Sequence, residues 1–189
     1  LIADSANNYY ENVSQVEVEA FYEKLRGDDD PRPISYGLNS KLIKEGGVVY
    51  ERTWKIGGMY SEAIERVVHW LEKAVEVAEN SDQRRALELL VAYYRTGQLR
   101  TFDHYNIAWV RDTDSDVDVI NGFIEVYGDA AGYRGAFESV VSIRDPEASR
   151  RIATISDHAQ WFEDHASIQD AHKKADVKGI SAKVINVVM

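Results

Sequence analysis

Cysteine is absent from the 189 residues, which excludes disulfides and thiolate metal sites. A reducing, cytoplasmic setting fits that absence. No apolar run reaches the length that spans a bilayer. The start, Leu1-Ile2-Ala3-Asp4, has neither an initiator Met nor a basic-then-apolar leader. Positive charge is scarce: 22 Lys and Arg stand against 32 Asp and Glu, a net charge of -10. That balance argues against nucleic acid and against an anionic membrane surface as partners. Basic residues nowhere interleave with aromatics in a stripe that could track a single strand. The phosphate-binding G-x-x-x-x-G-K-S/T, the G-x-S-x-G elbow and the dinucleotide G-x-G-x-x-G are all missing. Proline occurs three times; Pro31 and Pro33 stiffen a charged turn, and Pro146 stands where a helix opens.

What is present describes a globular chain. An apolar share of 44% and a charged share of 29% are ordinary, and the length suits one domain, or one large domain with a small appendage, with a substantial core. The end, Lys183-Val184-Ile185-Asn186-Val187-Val188-Met189, stops inside an apolar, β-prone run. Both ends read as cut points in a longer protein.

Ser14-x-x-Glu17 has capping-box form and predicts a helix with Val16, Ala20, Phe21 and Leu25 on its apolar side, stopped by Gly27. Lys41–Lys44 and Val48–Trp54 around Glu45-Gly46-Gly47 predict a β-hairpin. Two helices follow, capped by Ser61 and Ser81, the second stopped by Gly97. Thr101–Arg111 predicts a fourth helix. The period then changes. Val117, Val119 and Gly122–Tyr127 predict a strand, and Phe137–Ile143 another. A helix opens at Asp145-Pro146 and runs to about Phe162. Ile180–Met189 is a third strand. The fold class is α+β, helix-rich, with a small, largely antiparallel sheet. It divides into a helical part, about 10–112, and a strand-containing part, about 113–189.

Two constellations invite a metal reading and lack its grammar. The five histidines, His69, His104, His158, His165 and His172, never form H-E-x-x-H. The last three are seven apart, but a helix end falls among them, so they read as surface histidines. Asp114, Asp116, Asp118 and Glu125 occupy first, third, fifth and twelfth places of a calcium loop. Val119 then stands where the sharp turn needs glycine, and Asn121 where an apolar residue belongs. The ladder reads as a solvated approach to a strand.

The segment Gly122-Phe123-Ile124-Glu125-Val126-Tyr127 carries a different pattern. As a strand it places Phe123, Glu125 and Tyr127 on one face and Gly122, Ile124 and Val126 on the other. The carboxylate and the phenol then stand about 7 Å apart. From pattern alone this is equally a half-buried strand with an amphipathic outer face.

Trp109-Val110-Arg111-Asp112, followed by Gly122–Tyr127, Gly128-Asp129, Gly132-Tyr133-Arg134-Gly135-Ala136-Phe137-Glu138, resembles the dipeptidyl peptidase III family. That family carries W-I/V-R/K-D and then G-F-I-E-x-Y-x-D-x-x-G-x-R-G-x-F-E. Ser35–Leu42, Trp54–Tyr60, Ala159–Asp164 and Lys178–Ile185 resemble its bacterial branch. Ala130-Ala131 stand where the family often has a proline.

The resemblance implies a fragment of a two-lobed zinc peptidase that removes dipeptides from the amino end of short peptides. Zinc in that family is held by H-E-x-x-G-H and a glutamate of E-E-x-R-A-D/E. Neither motif occurs here, so the resemblance implies zinc in the parent enzyme and none bound by this chain. The family's G-I-N-I/L-P-N segment is absent as well. The fragment would contribute to the lobe opposite the zinc helices, including part of its β-barrel, and would have the remaining catalytic lobe as its partner. Glu125 and Tyr127 take the family's substrate-contacting positions: the carboxylate for the free ammonium, the phenol for the carbonyl oxygen. Asp129, Arg134 and Glu138 are assigned to holding the turn and strand. The rival expectation is a stand-alone, non-catalytic peptide-binding module derived from the same family.

Overall fold

The computed structural model describes residues 2, 8–26, 31–179 and 184–189. The chain divides into two compact units: Leu1–Asp112 with Asn121–Glu138, and Thr113–Ile120 with Ser139–Met189.

The first unit begins with strand β1 (Tyr10–Glu11) and helix α1 (Gln15–Leu25). The capping box is complete: Glu17 N–H donates to Ser14 Oγ at 3.4 Å, and Ser14 N–H donates to the Glu17 carboxylate at 2.9 Å. The buried side of α1 is Val18 and Tyr22, one turn apart, rather than the expected stripe; Val16 stays 72% exposed. Tyr22 goes inward because its hydroxyl finds buried partners, and a phenol with partners is as good a core residue as a Phe. The predicted stop at Gly27 lies outside the described residues.

Strands β2 (Ser40–Glu45) and β3 (Val48–Thr53) form the expected antiparallel hairpin, closed with Glu45 opposite Val48. Gly46 and Gly47 take φ of 56° and 83° at its turn, the left-handed pair that a two-residue hairpin needs. β1 adds in parallel to β2, with Tyr10 opposite Leu42. A two-residue strand has no readable period, so sequence reasoning passed over it.

Helices α2 (Ser61–Glu76), α3 (Ser81–Thr96) and α4 (Leu99–Arg111) come next. Both predicted serine caps fall one residue late. Tyr60, in the left-handed region, precedes α2, while Ser61 Oγ accepts from Gly57 N–H at 2.7 Å. Asn80 caps α3, its Oδ1 accepting from the N–H groups of Asp82 and Gln83. Gly97 ends α3 at φ 72°, and α4 starts two residues before Thr101. Ile64, Val68, Leu71, Leu87, Leu90, Tyr94, Phe102 and Tyr105 form one core with Trp54 and Phe123.

Strands β4 (Val117–Phe123), β5 (Phe137–Arg144) and β6 (Ile185–Val187) make the second sheet, in that order. β4 passes through Asn121-Gly122 without a break and ends at Phe123, short of the predicted Tyr127. Helix α5 (Pro146–Asp157) opens as expected, Asp145 accepting from Glu147 and Ala148 N–H. It does not reach Phe162. His158 breaks it, its Nδ1 lying 2.7 Å from Thr154 O, and a short helix α6 (Ala159–Asp164) takes over. Residues 180–183 of the last predicted strand lie outside the described residues; β6 pairs antiparallel with β5, Val187 opposite Ser142. The class is α+β, helix-rich, with strands divided between two open three-stranded sheets.

Candidate functional site

The limb that leaves β4 and returns as β5 carries Glu125 and Tyr127. Phe123 anchors its root in the core, with ring centroids 4.8 Å from Trp54 and 5.6 Å from Phe137. Gly135 has to be glycine: a Cβ there would lie 2.7 Å from the Phe123 carbonyl carbon. Beyond Phe123 the ladder changes count. Ile124 N–H donates to Ala136 O at 2.9 Å, and Ala136 N–H donates to Glu125 O at 2.8 Å. Two residues therefore face one, a β-bulge that ends the regular strand and re-aims the side chains beyond it.

Past the bulge Glu125 is exposed and Tyr127 is 84% exposed, while Ile124 and Val126 pack against the core. The expected alternation thus holds for these four. It fails at Phe123, which was placed on the Glu125 face and is buried instead. Neither the Glu125 carboxylate nor the Tyr127 hydroxyl has a hydrogen-bond partner among the described residues.

The inner side of the same limb is densely hydrogen-bonded. The Asp129 carboxylate, nearly inaccessible, accepts from Ala131 N–H at 3.1 Å, Tyr133 N–H at 2.8 Å, Arg134 N–H at 3.0 Å and the Tyr10 hydroxyl at 2.7 Å. Gly132 N–H closes the turn onto Asp129 O at 3.0 Å. Arg134 is completely buried. Its Nη1 donates to Gly37 O at 2.7 Å and Ser40 Oγ at 2.8 Å, and pairs with Glu51 at 3.4 Å. Its Nη2 donates to the Tyr22 hydroxyl, which donates onward to Glu51. The guanidinium carbon lies 5.1 Å and 5.0 Å from the Tyr10 and Tyr22 ring centres. The two terminal nitrogens and the charge are matched in this way, as a buried guanidinium requires, while its Nε is enclosed without a hydrogen-bond partner among the described residues. Burial pushes the Tyr10 and Tyr22 phenols above their ordinary range, so both stay protonated and remain donors.

Asp129 and Arg134 therefore hold the turn, as their sequence positions implied. Glu138 was given the same task, yet its Oε1 is enclosed without a hydrogen-bond partner, so the holding falls to the other two. Tyr10, Tyr22, Ser40 and Glu51 were missed. They come from four separate stretches of chain, and no local spacing ties them together.

The metal candidates do not assemble. His158 and His165 each turn Nδ1 to a backbone carbonyl, and His165 stacks on Trp161 at 4.3 Å. Asp116 pairs with Arg144 at 3.3 Å, and Asp118 accepts from Val119 N–H. No group of three His, Cys, Asp or Glu residues suited to a metal occurs among the described residues.

Comparison with known proteins gives a family match. The sequence profile of peptidase family M49 matches residues 41–167. Dipeptidyl peptidase 3 of Rattus norvegicus is 32% identical over 98 residues, covering 52% of this chain and 13% of that protein. Nudix hydrolase 3 of Arabidopsis thaliana is 25% identical over 131 residues, covering 69% of this chain and 16% of that protein. Among solved structures, DPP III from Caldithrix abyssi superposes with a TM-score of 0.71 at 22% identity, over 89% of this chain and 31% of that one. Dipeptidyl-peptidase III from Corallococcus sp. strain EGB gives 0.64 at 21%, over 96% and 33%. These two likenesses show the fold. This chain spans only 13% to 16% of the length of the two curated relatives named. The profile match takes in well over half of the chain, the family's motifs stand in order along it, and the chain belongs to peptidase family M49, the dipeptidyl peptidase III family.

Proposed function

We propose that this chain supplies substrate recognition in a zinc-dependent dipeptidyl peptidase acting on short peptides with a free amino terminus. The observation that carries the proposal is the contrast within one limb. Glu125 and Tyr127 project outward without partners among the described residues, while the backbone beneath them is bonded from within.

A free carboxylate on a fixed backbone suits a peptide ammonium, which it binds by charge-assisted hydrogen bonds. Fixing that ammonium fixes the distance to the bond to be cut, so that two residues are released each time. The Tyr127 hydroxyl is placed two residues further along to donate to a carbonyl oxygen as charge grows on it. The zinc and its ligands belong to the remaining catalytic lobe, outside this chain; the metal would supply Lewis-acid chemistry there. We place the enzyme in the cytoplasm. No described helix is long and apolar enough to cross a membrane.

The test is kinetic, in the full-length protein. Glu125→Gln should raise KM for a dipeptidyl-naphthylamide by about tenfold, the worth of one charged hydrogen bond, with zinc content unchanged. Wild-type kinetics in that variant would remove Glu125 from the site. The isolated chain should show neither hydrolysis nor stoichiometric zinc, and turnover by the pure chain would end the proposal.

A further inference from the structure

The hydroxyl of Tyr10 lies at the far end of the chain from the limb it touches. It is separated from Asp129 by 119 positions and meets its carboxylate at 2.7 Å. We infer that Tyr10 is a positioning residue: through Asp129 it sets where Glu125 and Tyr127 stand, and so ties recognition of the substrate's amino end to the amino-terminal strand. This rests on the proposed role of Glu125.

The chain of contacts is short. Glu125 and Tyr127 lie four and two residues before Asp129. The backbone between them and Asp129 is closed by Asp129 N–H donating to Val126 O at 3.0 Å. The Asp129 carboxylate gathers the returning arm through the N–H groups of Tyr133 and Arg134. That arm is paired with Ile124 and Glu125 across the bulge. A shift of the carboxylate therefore moves both arms of the limb. Its fourth donor is the one that does not belong to the limb. Tyr10 is 6% exposed and sits in β1, pinned in parallel to β2. It is thus a fixed post, and the limb is hung from it.

The geometry separates this role from mere packing. The Tyr10 ring lies against the Arg134 guanidinium, and a Phe would keep that contact. Only the hydroxyl reaches Asp129. Tyr22 provides the matched control. It lies in the same buried cluster and bonds Arg134 and Glu51, with no bond to Asp129. Both hydroxyls can be deleted by the same Tyr→Phe change.

The experiment is a mutant cycle in the full-length enzyme, with a dipeptidyl-naphthylamide as substrate. Tyr10→Phe should raise KM by about tenfold, the factor for a lost hydrogen bond to a charged group. In a Glu125→Gln background the same change should add less than about twofold, because it acts through the residue already removed. Tyr22→Phe, which reaches the limb only through Arg134, should lower thermal stability and raise KM by clearly less than Tyr10→Phe does. Amide exchange at Tyr133 and Arg134 should speed up in Tyr10→Phe. An unchanged KM in Tyr10→Phe overturns the inference. So does an equal KM rise in Tyr22→Phe, or a full tenfold rise in the Glu125→Gln background. In those cases a loss caused by Glu125→Gln alone leaves the Glu125 role standing. If Glu125→Gln itself is silent, both fall.

Discussion

The two units of this chain are built by different means. Among the described residues, those of 1–112 with 121–138 contain every buried hydrophobic side chain, from Ile2 to Phe123. Residues 113–120 with 139–189 contain none among those described; α5 and α6 bury no residue at all. Ile155, Trp161, Phe162 and Val187 stand about half exposed or more. The second unit is held by its backbone ladder and by polar contacts. Asp145 caps α5, Lys174 N–H donates to Glu163 at 2.8 Å, and Val184 N–H donates to Ser149 Oγ at 3.0 Å. Burial of apolar area is worth about 25 cal/mol per Å², whereas a net hydrogen bond contributes roughly 1 kcal/mol. The first unit can therefore carry a demanding polar feature such as a buried arginine. The second has little to spend on one.

That difference can be broken or sharpened by substitution in the full-length protein. The largest effect should come from Arg134→Leu. It takes the guanidinium from Glu51, Ser40, Tyr22 and the Gly37 carbonyl and leaves the half-buried Glu51 charge without its cation, at a cost of about 3–5 kcal/mol, read by amide exchange in α1 and β2. A change below about 1 kcal/mol would mean that the cluster is wet. Leu90→Ala, at a side chain with no exposure, should cost about 2–5 kcal/mol. Ile155→Ala, at 53% exposure, should cost no more than about 0.5 kcal/mol. If Ile155→Ala proves as costly as Leu90→Ala, other parts of the full-length protein cover α5, and the second unit borrows its core.

The smallest effect lies at the α1 start. The Lys44 hydrogen bond, then the Ser14 N–H and hydroxyl, hold Glu17 at about 2, below its ordinary 4.5. A lowered carboxylate stabilises the folded state above its ordinary value, and that contribution is lost as pH falls toward about 2. A proton titration followed by NMR should place the Glu17 midpoint near 2. Lys44→Met should move it back toward the ordinary value. An ordinary midpoint in the wild type would dissolve the contact.

Features that depend on neighbours in sequence were readable. The Ser14 and Glu17 pair, Gly46-Gly47, Gly97 and Asp145-Pro146 each close a hydrogen bond or supply a backbone angle within a few residues. Where two local options compete, reading alone erred by a residue. Asn80 wins over Ser81 because its Oδ1 reaches two N–H groups at once. The long helix predicted after Pro146 breaks because the His158 ring meets a carbonyl one turn back. The apolar stripe of α1 was misassigned for another reason: Tyr22 is drawn inward by Arg134, 112 positions away.

By itself, then, the sequence determined the class, most of the elements and the family pattern, and singled out Glu125 and Tyr127 as candidates, since all of these come from short-range periodicity and motif. Tertiary structure alone decided that β4 bulges at Ile124 and Glu125, and that a buried arginine with Tyr10, Tyr22, Ser40 and Glu51 holds the limb. Those contacts join distant parts of the chain through groups that cannot be buried unless they find one another, and only folding brings them within reach.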